Sequence, residues 1–186
     1  MALKIGIIIG STRPGRLGTQ VADWVKNEAA KRDGVEYELV DIADYNLPLL
    51  DESLPAAYGQ YEHEHTKKWA AKIAEFDGYI FVTPEYNHST SGALKNAIDF
   101  VGAEWNNKAL GLVGYGSLGA SRAIEHLRGI AAEIQLADVR QTVHFSLFTD
   151  FEEFTTFIGN DRAAGEAETM FGQVEAWAGA LKSLRA

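Results

Sequence analysis

The chain predicts an α/β protein: a doubly wound, five-stranded parallel sheet with helices on both faces, three layers in all. Three observations predict it. Apolar runs of strand length alternate with amphipathic segments of helix length through all 186 residues. Each segment between two such runs is long enough for a right-handed crossover. The runs themselves, such as Ile5-Gly6-Ile7-Ile8-Ile9 and Tyr79-Ile80-Phe81-Val82, show no polar alternation, as strands covered on both faces should. No repeat, linker or low-complexity segment interrupts the pattern, so residues 1–186 read as one domain.

The elements follow in order. Lys4 to Ile9 is the first strand, because β-branched side chains pack well on a pleated surface. Gly18 to Lys31 is a helix, with Val21, Trp24, Val25 and Ala29 on one face and Gly34 as its stop. Val35 to Ile42 alternates polar with apolar residues and reads as an edge strand with one face partly wet. Ala43 to Tyr61, with Pro48 and Pro55 and no sustained period, reads as an ordered loop. Lys67 to Phe76 is the next helix, carrying Trp69, Ile73 and Phe76 on one side. Tyr79 to Val82 is the third strand, and Ser89-Thr90-Ser91-Gly92 offers capping hydroxyls to a helix over Ala93 to Val101. Lys108 to Tyr115 is the fourth strand, Ala120 to Ile130 a helix and Val139 to Phe145 the fifth strand. Gly165 to Arg185 closes the chain as an amphipathic helix, with Phe171, Val174, Trp177, Ala178, Leu181 and Leu184 on one face.

Composition narrows the function. A net charge of −9 and a pI near 5.0 oppose a nucleic-acid or anionic-membrane partner, either of which needs a positive face, and suit a cytoplasmic protein. There is no cysteine, which excludes disulfides, thiol nucleophiles and thiolate metal sites together, so redox chemistry requires a bound cofactor. No signal segment and no run of membrane-spanning length is expected.

In a doubly wound sheet the ligand sits beyond the carboxyl ends of the strands, and the first, third and fourth strands each end in a marked loop. The first is Gly10-Ser11-Thr12-Arg13-Pro14-Gly15-Arg16-Leu17-Gly18. Its glycines let the backbone turn, the following helix offers free N–H groups, and Arg13 and Arg16 are permanently charged forks that match phosphate oxygens. It is not a nucleotide P-loop, since Arg16 and Leu17 stand where a Lys and a magnesium-binding hydroxyl are needed. The second loop, Pro84-Glu85-Tyr86-Asn87, combines a stiff turn, an aromatic face and an amide. The third, Gly114-Tyr115-Gly116-Ser117-Leu118-Gly119, lets main chain approach a flat ring. It also spells a dinucleotide fingerprint with Asp138 near the position of a ribose-binding acid, but only one strand follows, too few for a second mononucleotide half. A phosphate cradle beside a seat for a planar heterocycle points to flavin mononucleotide (FMN) as the cofactor.

Gly10 to Gly15, then Pro84 to Asn87, then Leu94-Lys95-Asn96-Ala97-Ile98-Asp99, in that order and spacing, resemble the NADPH-dependent FMN reductase family, which includes quinone, azo-dye and chromate reductases. The resemblance implies a flavodoxin-like fold. It implies that Ser11, Thr12, Arg13 and the stretch Gly15, Arg16, Leu17, Gly18 hold the FMN phosphate. It also implies that Pro84, Glu85, Tyr86 and Asn87 border the isoalloxazine ring, and that Tyr115, Gly116 and Ser117 close its other edge. The chain departs from the commoner family pattern at Arg16, where a Ser stands, and at Gly18, where an Asn stands, so the side-chain contact from position 18 is lost. The implied reaction takes hydride from NADPH or NADH onto flavin N5 and passes electrons to a free flavin, a quinone, an azo compound or a similar acceptor, with no catalytic side chain required. The alternative is a flavodoxin-like electron-transfer protein without NAD(P)H turnover of its own.

No metal site is expected. His63 and His65 read as a solvated pair, His126 and His144 as structural, and His88 as a turn residue within reach of substrate. Phe100, Val101, Trp105 and Tyr58 read as surplus apolar surface, predicting a homodimer or homotetramer, as the family resemblance also does.

Overall fold

The isoleucines of the first strand divide between two cores. In the computed structural model, which describes residues 2–185, β1 (Leu3–Ile9) places Ile5, Ile7 and Ile9 in one cluster and Ile8 in another. That is the period of two expected of a pleated strand, and each fully buried isoleucine contributes about 1.5–3 kcal/mol.

Around β1 lie α1 (Gly18–Ala29), β2 (Val35–Asp41), α2 (Glu64–Ala74), β3 (Gly78–Pro84), α3 (Gly92–Asp99), β4 (Lys108–Gly116), α4 (Ser121–Glu133) and β5 (Leu136–Ser146). A short hairpin of β6 (Phe151–Glu152) and β7 (Thr156–Phe157) precedes α5 (Asp161–Leu181). The sheet runs β2-β1-β3-β4-β5 with every pair parallel. Residues of α1 and α5 share the cluster on one face, and residues of α2, α3 and α4 share the other. The strand order reverses at β1, whose neighbours are β2 on one side and β3 on the other, so the crevice for a ligand opens beyond β1 and β3. Val35–Asp41 is an edge strand, as its alternation predicts.

Several expectations are corrected. Phe100, Val101 and Trp105 are buried, not surface: Trp105 sends its indole N–H to the Ile98 carbonyl at 3.1 Å and packs on Tyr79 and Phe81. Tyr58 is exposed. Trp177 and Leu184 do not belong to the buried face of the last helix, which is lined by Ala163, Ala167, Met170, Phe171, Val174 and Ala178. That helix starts at Asp161, earlier than predicted, because the Asn160 side chain accepts the Ala163 N–H at 2.9 Å and caps it. The hairpin of β6 and β7 carries no strand-length run, so no sequence pattern predicts it.

Candidate functional site

Three loops leave the sheet side by side, because Ile9 pairs with Val82 and Pro84 with Tyr115. Short bonds fasten them together. The Gly10 N–H donates to the Val82 carbonyl at 2.9 Å, and a side chain at position 10 would meet that oxygen at 2.8 Å, so only glycine fits. The Ser91 hydroxyl donates to the Gly10 carbonyl while its oxygen accepts the Leu94 N–H at 3.0 Å, capping α3 and tying it to the first loop. Thr83 and Thr90 share a buried hydroxyl–hydroxyl bond of 2.8 Å across the second loop.

In the first loop Gly15 adopts φ +69°, and the Arg16 N–H closes a turn onto the Arg13 carbonyl at 3.0 Å. Ser11 is buried, with its hydroxyl 3.0 Å from that of Tyr86 and accepting the Arg13 N–H at 3.3 Å. Arg13 Nε donates to the same Tyr86 oxygen at 3.2 Å, and its guanidinium lies 5.9 Å from the Tyr86 ring centroid. Ser11, Arg13 and Tyr86, from two separate loops, are thus one cluster. Tyr115 lies against it: a Cβ at Gly18 would stand 2.7 Å from the Tyr115 hydroxyl. Burial, with Tyr86 beside it, holds the Tyr115 hydroxyl above its ordinary pKa, the charges of Arg13 and Arg16 working against that. Leu17 occupies the N-cap position of α1 without a side-chain cap, which leaves first-turn N–H groups free for a ligand. Thr12 lines a cleft with Asn46, Leu47, Ala93 and Asn96.

The two arginines differ. Arg16 forms an ion pair with Asp41 at the end of β2, and Asp41 also accepts the Ala43 N–H at 3.0 Å. Arg13 has no carboxylate partner among the described residues. Asp41 was not legible as part of the site, because its proximity to Arg16 arises from the pairing of β1 with β2.

The second loop reverses at Asn87 and His88, with φ of 48° and 77°, and closes with the Tyr86 N–H on the Ser89 carbonyl at 2.9 Å and the return bond at 3.2 Å. Asparagine and histidine are both among the residues enriched at positive φ. Glu85 does not present a free carboxylate: Arg122 Nε donates to it at 2.6 Å and the Arg122 backbone N–H at 3.2 Å. His126 accepts or donates at Nδ1 with the Ser89 hydroxyl at 2.9 Å.

Gly114 and Gly119 of the third loop are consumed by local packing. A Cβ at Gly114 would lie 2.6 Å from the Gly119 carbonyl, and one at Gly119 would lie 2.8 Å from His144 Cβ. His144 Nδ1 donates to the Gly119 carbonyl at 2.8 Å, and Asp138 is engaged by Arg128. The Leu147 N–H reaches the Gly116 carbonyl at 3.0 Å. Main chain and histidine therefore fix this loop, and the apparent ribose acid is already paired. His63 and His65 stack at 5.2 Å and both bond to Asp51, and no three potential ligands converge on a metal position among the described residues.

The donor set suits a phosphate and a flat ring. Among the described residues, the buried polar side-chain atoms without a partner include Arg16 Nε and the Tyr115 hydroxyl, both of which can donate, and both belong to this corner. With Arg13 and Ser11, Arg16 Nε and the uncapped start of α1 are donors of the kind that fits a phosphate, and Tyr86, Tyr115 and the third-loop main chain beside them are of the kind that fits a ring.

Comparison with known proteins agrees. Residues 3–150 match the sequence model of the NADPH-dependent FMN reductases. An NAD(P)H-dependent FMN reductase of Nectria sp is 37% identical over 188 aligned residues, covering 96% of this chain and 89% of that protein. A 2-hydroxy-1,4-benzoquinone reductase of Burkholderia sp is 32% identical over 148 residues, 76% of each chain. The NAD(P)H:(acceptor) oxidoreductase FerB of Paracoccus denitrificans superposes with a TM-score of 0.70 at 21% identity, over 97% of this chain and 98% of that one, which shows the shared flavodoxin-like fold. With its three loops at the switch point and this match across most of its length, the chain belongs to the NADPH-dependent FMN reductase family.

Proposed function

We propose that this chain, a single FMN-binding domain over residues 1–186, oxidises NAD(P)H and reduces a small acceptor such as free flavin, a quinone or an azo compound. Ser11, Arg13 and the backbone from Gly15 to Gly18 hold the FMN phosphate; Pro84 to Asn87 border the ring; Tyr115 to Ser117 close its far edge. When bound, FMN supplies the hydride and electron chemistry that no side chain here can. The protein's part is to bind, orient and fix. Glu85, the carboxylate of the second loop, is committed to Arg122 and is not free for proton transfer. The observation that carries the reading is the Ser11–Arg13–Tyr86 cluster, which joins a phosphate-type loop to an aromatic loop at the switch point. Family membership favours this reading over an electron-transfer flavodoxin without turnover.

A cytoplasmic location goes with the acidic balance and with dependence on NAD(P)H; no helix among the described residues is long and apolar enough to cross a membrane. A homodimer or homotetramer is proposed on exposed Leu49, Leu50, Leu54 and Tyr58, which follow β2. The test of function is direct. Chain reconstituted with FMN should lose the flavin's visible absorption on anaerobic addition of NADH or NADPH and regain it with a quinone; a flavin that neither nucleotide bleaches overturns the reading.

A further inference from the structure

The start of α4 poses a capping problem. The preceding residue, Ala120, is buried with φ 58° and has no side chain that could cap, and Ser121 sends its hydroxyl back to the Leu118 carbonyl at 3.0 Å. The first-turn N–H groups need acceptors from elsewhere. Glu85 provides one from another loop: its Oε2 accepts the Arg122 N–H at 3.2 Å, and its Oε1 accepts Arg122 Nε at 2.6 Å. Burial pushes the Glu85 carboxyl up, but Arg122 and the N–H groups of Arg122 and Ala123 outweigh it and hold the group below the ordinary carboxylate range. A negative charge at a helix N-terminus is also favoured by the dipole.

Glu85 is fastened at both ends. Its own N–H donates to the Tyr115 carbonyl at 3.2 Å, and a Cβ at Gly116 would stand 3.4 Å from Glu85 Cβ. Among the residues that follow it, Asn87 and His88 make the left-handed reversal, a conformation that persists only where surroundings over-determine it. The Glu85 side chain is 6% exposed and that of Arg122 is 40% exposed, so the buried partner is locked and the outer one is accessible to substitution.

We propose that Glu85 and Arg122 are positioning residues for the flavin ring: the carboxylate caps α4 across loops and, through Arg122, holds Pro84–Asn87 and Tyr115–Ser117 as one rigid wall. This rests on the reading that those loops border the ring. It separates the ring seat, which the pair organises, from the phosphate seat, which Arg13 organises.

The experiment uses the full chain with two ligands, FMN and riboflavin, which share the ring and differ by the phosphate. Glu85→Gln and Arg122→Gln should each weaken FMN and riboflavin by the same factor, about tenfold, which corresponds to ~1.4 kcal/mol. The ratio of the two affinities should stay at the parent value, and the visible circular dichroism of bound FMN should change. Arg13→Ala, by contrast, should collapse the ratio. The proposal is overturned if folded Arg122→Gln matches the parent in riboflavin affinity and visible dichroism, or if it lowers the ratio and so acts on the phosphate. Should Glu85→Gln fail to fold, Arg122→Gln decides alone. A parent chain that binds neither ligand would overturn the FMN reading itself, which is a different outcome.

Discussion

Arg13 and Arg16 stand three residues apart and have different work. Arg13 reaches Tyr86 and keeps its charge uncompensated, whereas Arg16 is neutralised by Asp41. Arg13→Ala should therefore weaken FMN binding by about 1.5–3 kcal/mol, the range for a hydrogen bond to a charged group, while the urea midpoint of the apoprotein barely moves. Arg16→Ala should lower that midpoint, since it strands Asp41. An unchanged FMN affinity in Arg13→Ala would move the phosphate elsewhere. Gly18 makes a sharper case: Gly18→Ala forces a methyl to 2.7 Å from the Tyr115 hydroxyl and should impair folding or FMN binding, and adding Tyr115→Phe should restore most of the loss by removing that oxygen. The glycine itself is plain in the sequence. Its reason is not, because Tyr115 reaches it from a strand almost a hundred residues later.

At the scale of elements, Ser91 does two jobs that a hydroxyl-rich stretch advertises only in part. Its capping role is readable from Ser89-Thr90-Ser91-Gly92 ahead of a helix, but its bond to the Gly10 carbonyl depends on β1 and β3 being neighbours. Ser91→Ala should cost about 1–2 kcal/mol, the upper part of the range for a lost N-cap, measured by chemical denaturation. Because the same change loosens the first loop, FMN affinity should fall with it; an Ala variant as stable as its parent would remove Ser91 from this account. The strands and helices were legible because their periods of 2 and 3.6 are local properties. The short hairpin of β6 and β7 was not, since its position depends on Gln20 of α1, which takes the Phe157 N–H at 2.9 Å and donates to the Thr155 carbonyl at 2.9 Å.

The whole molecule places a buried lysine at the end of the sheet away from the site. Lys108 donates to the Ile73 carbonyl and to the Tyr79 hydroxyl, each at 2.9 Å, within the α2 side of the core. Burial, with Arg185 nearby, pulls its pKa down from 10.5 to about 8. The folded state therefore carries a cost for the charged amine that is full below pH about 8 and is relieved as pH rises towards 10.5. This one group should make stability increase across that window. Lys108→Met should flatten the increase and raise stability near neutral pH by about 1–3 kcal/mol, provided the aliphatic stem packs as the lysine stem does; a parent and variant with parallel pH–stability curves would refute it. Assembly is decided at the same scale. Light scattering at micromolar protein should give at least a dimer mass, and a monomer would withdraw the role of Leu49, Leu50, Leu54 and Tyr58.

By itself the sequence determined the parallel doubly wound sheet, the three loops at its carboxyl edge and the family, because alternation, turn chemistry and motif order are carried by neighbours along the chain. Only the tertiary structure decided which aromatics are core, which arginine is free, and that Glu85 turns to α4. Those outcomes depend on residues distant in sequence meeting across paired strands, where a partner such as Asp41 or Arg122 can satisfy a charge before any ligand does.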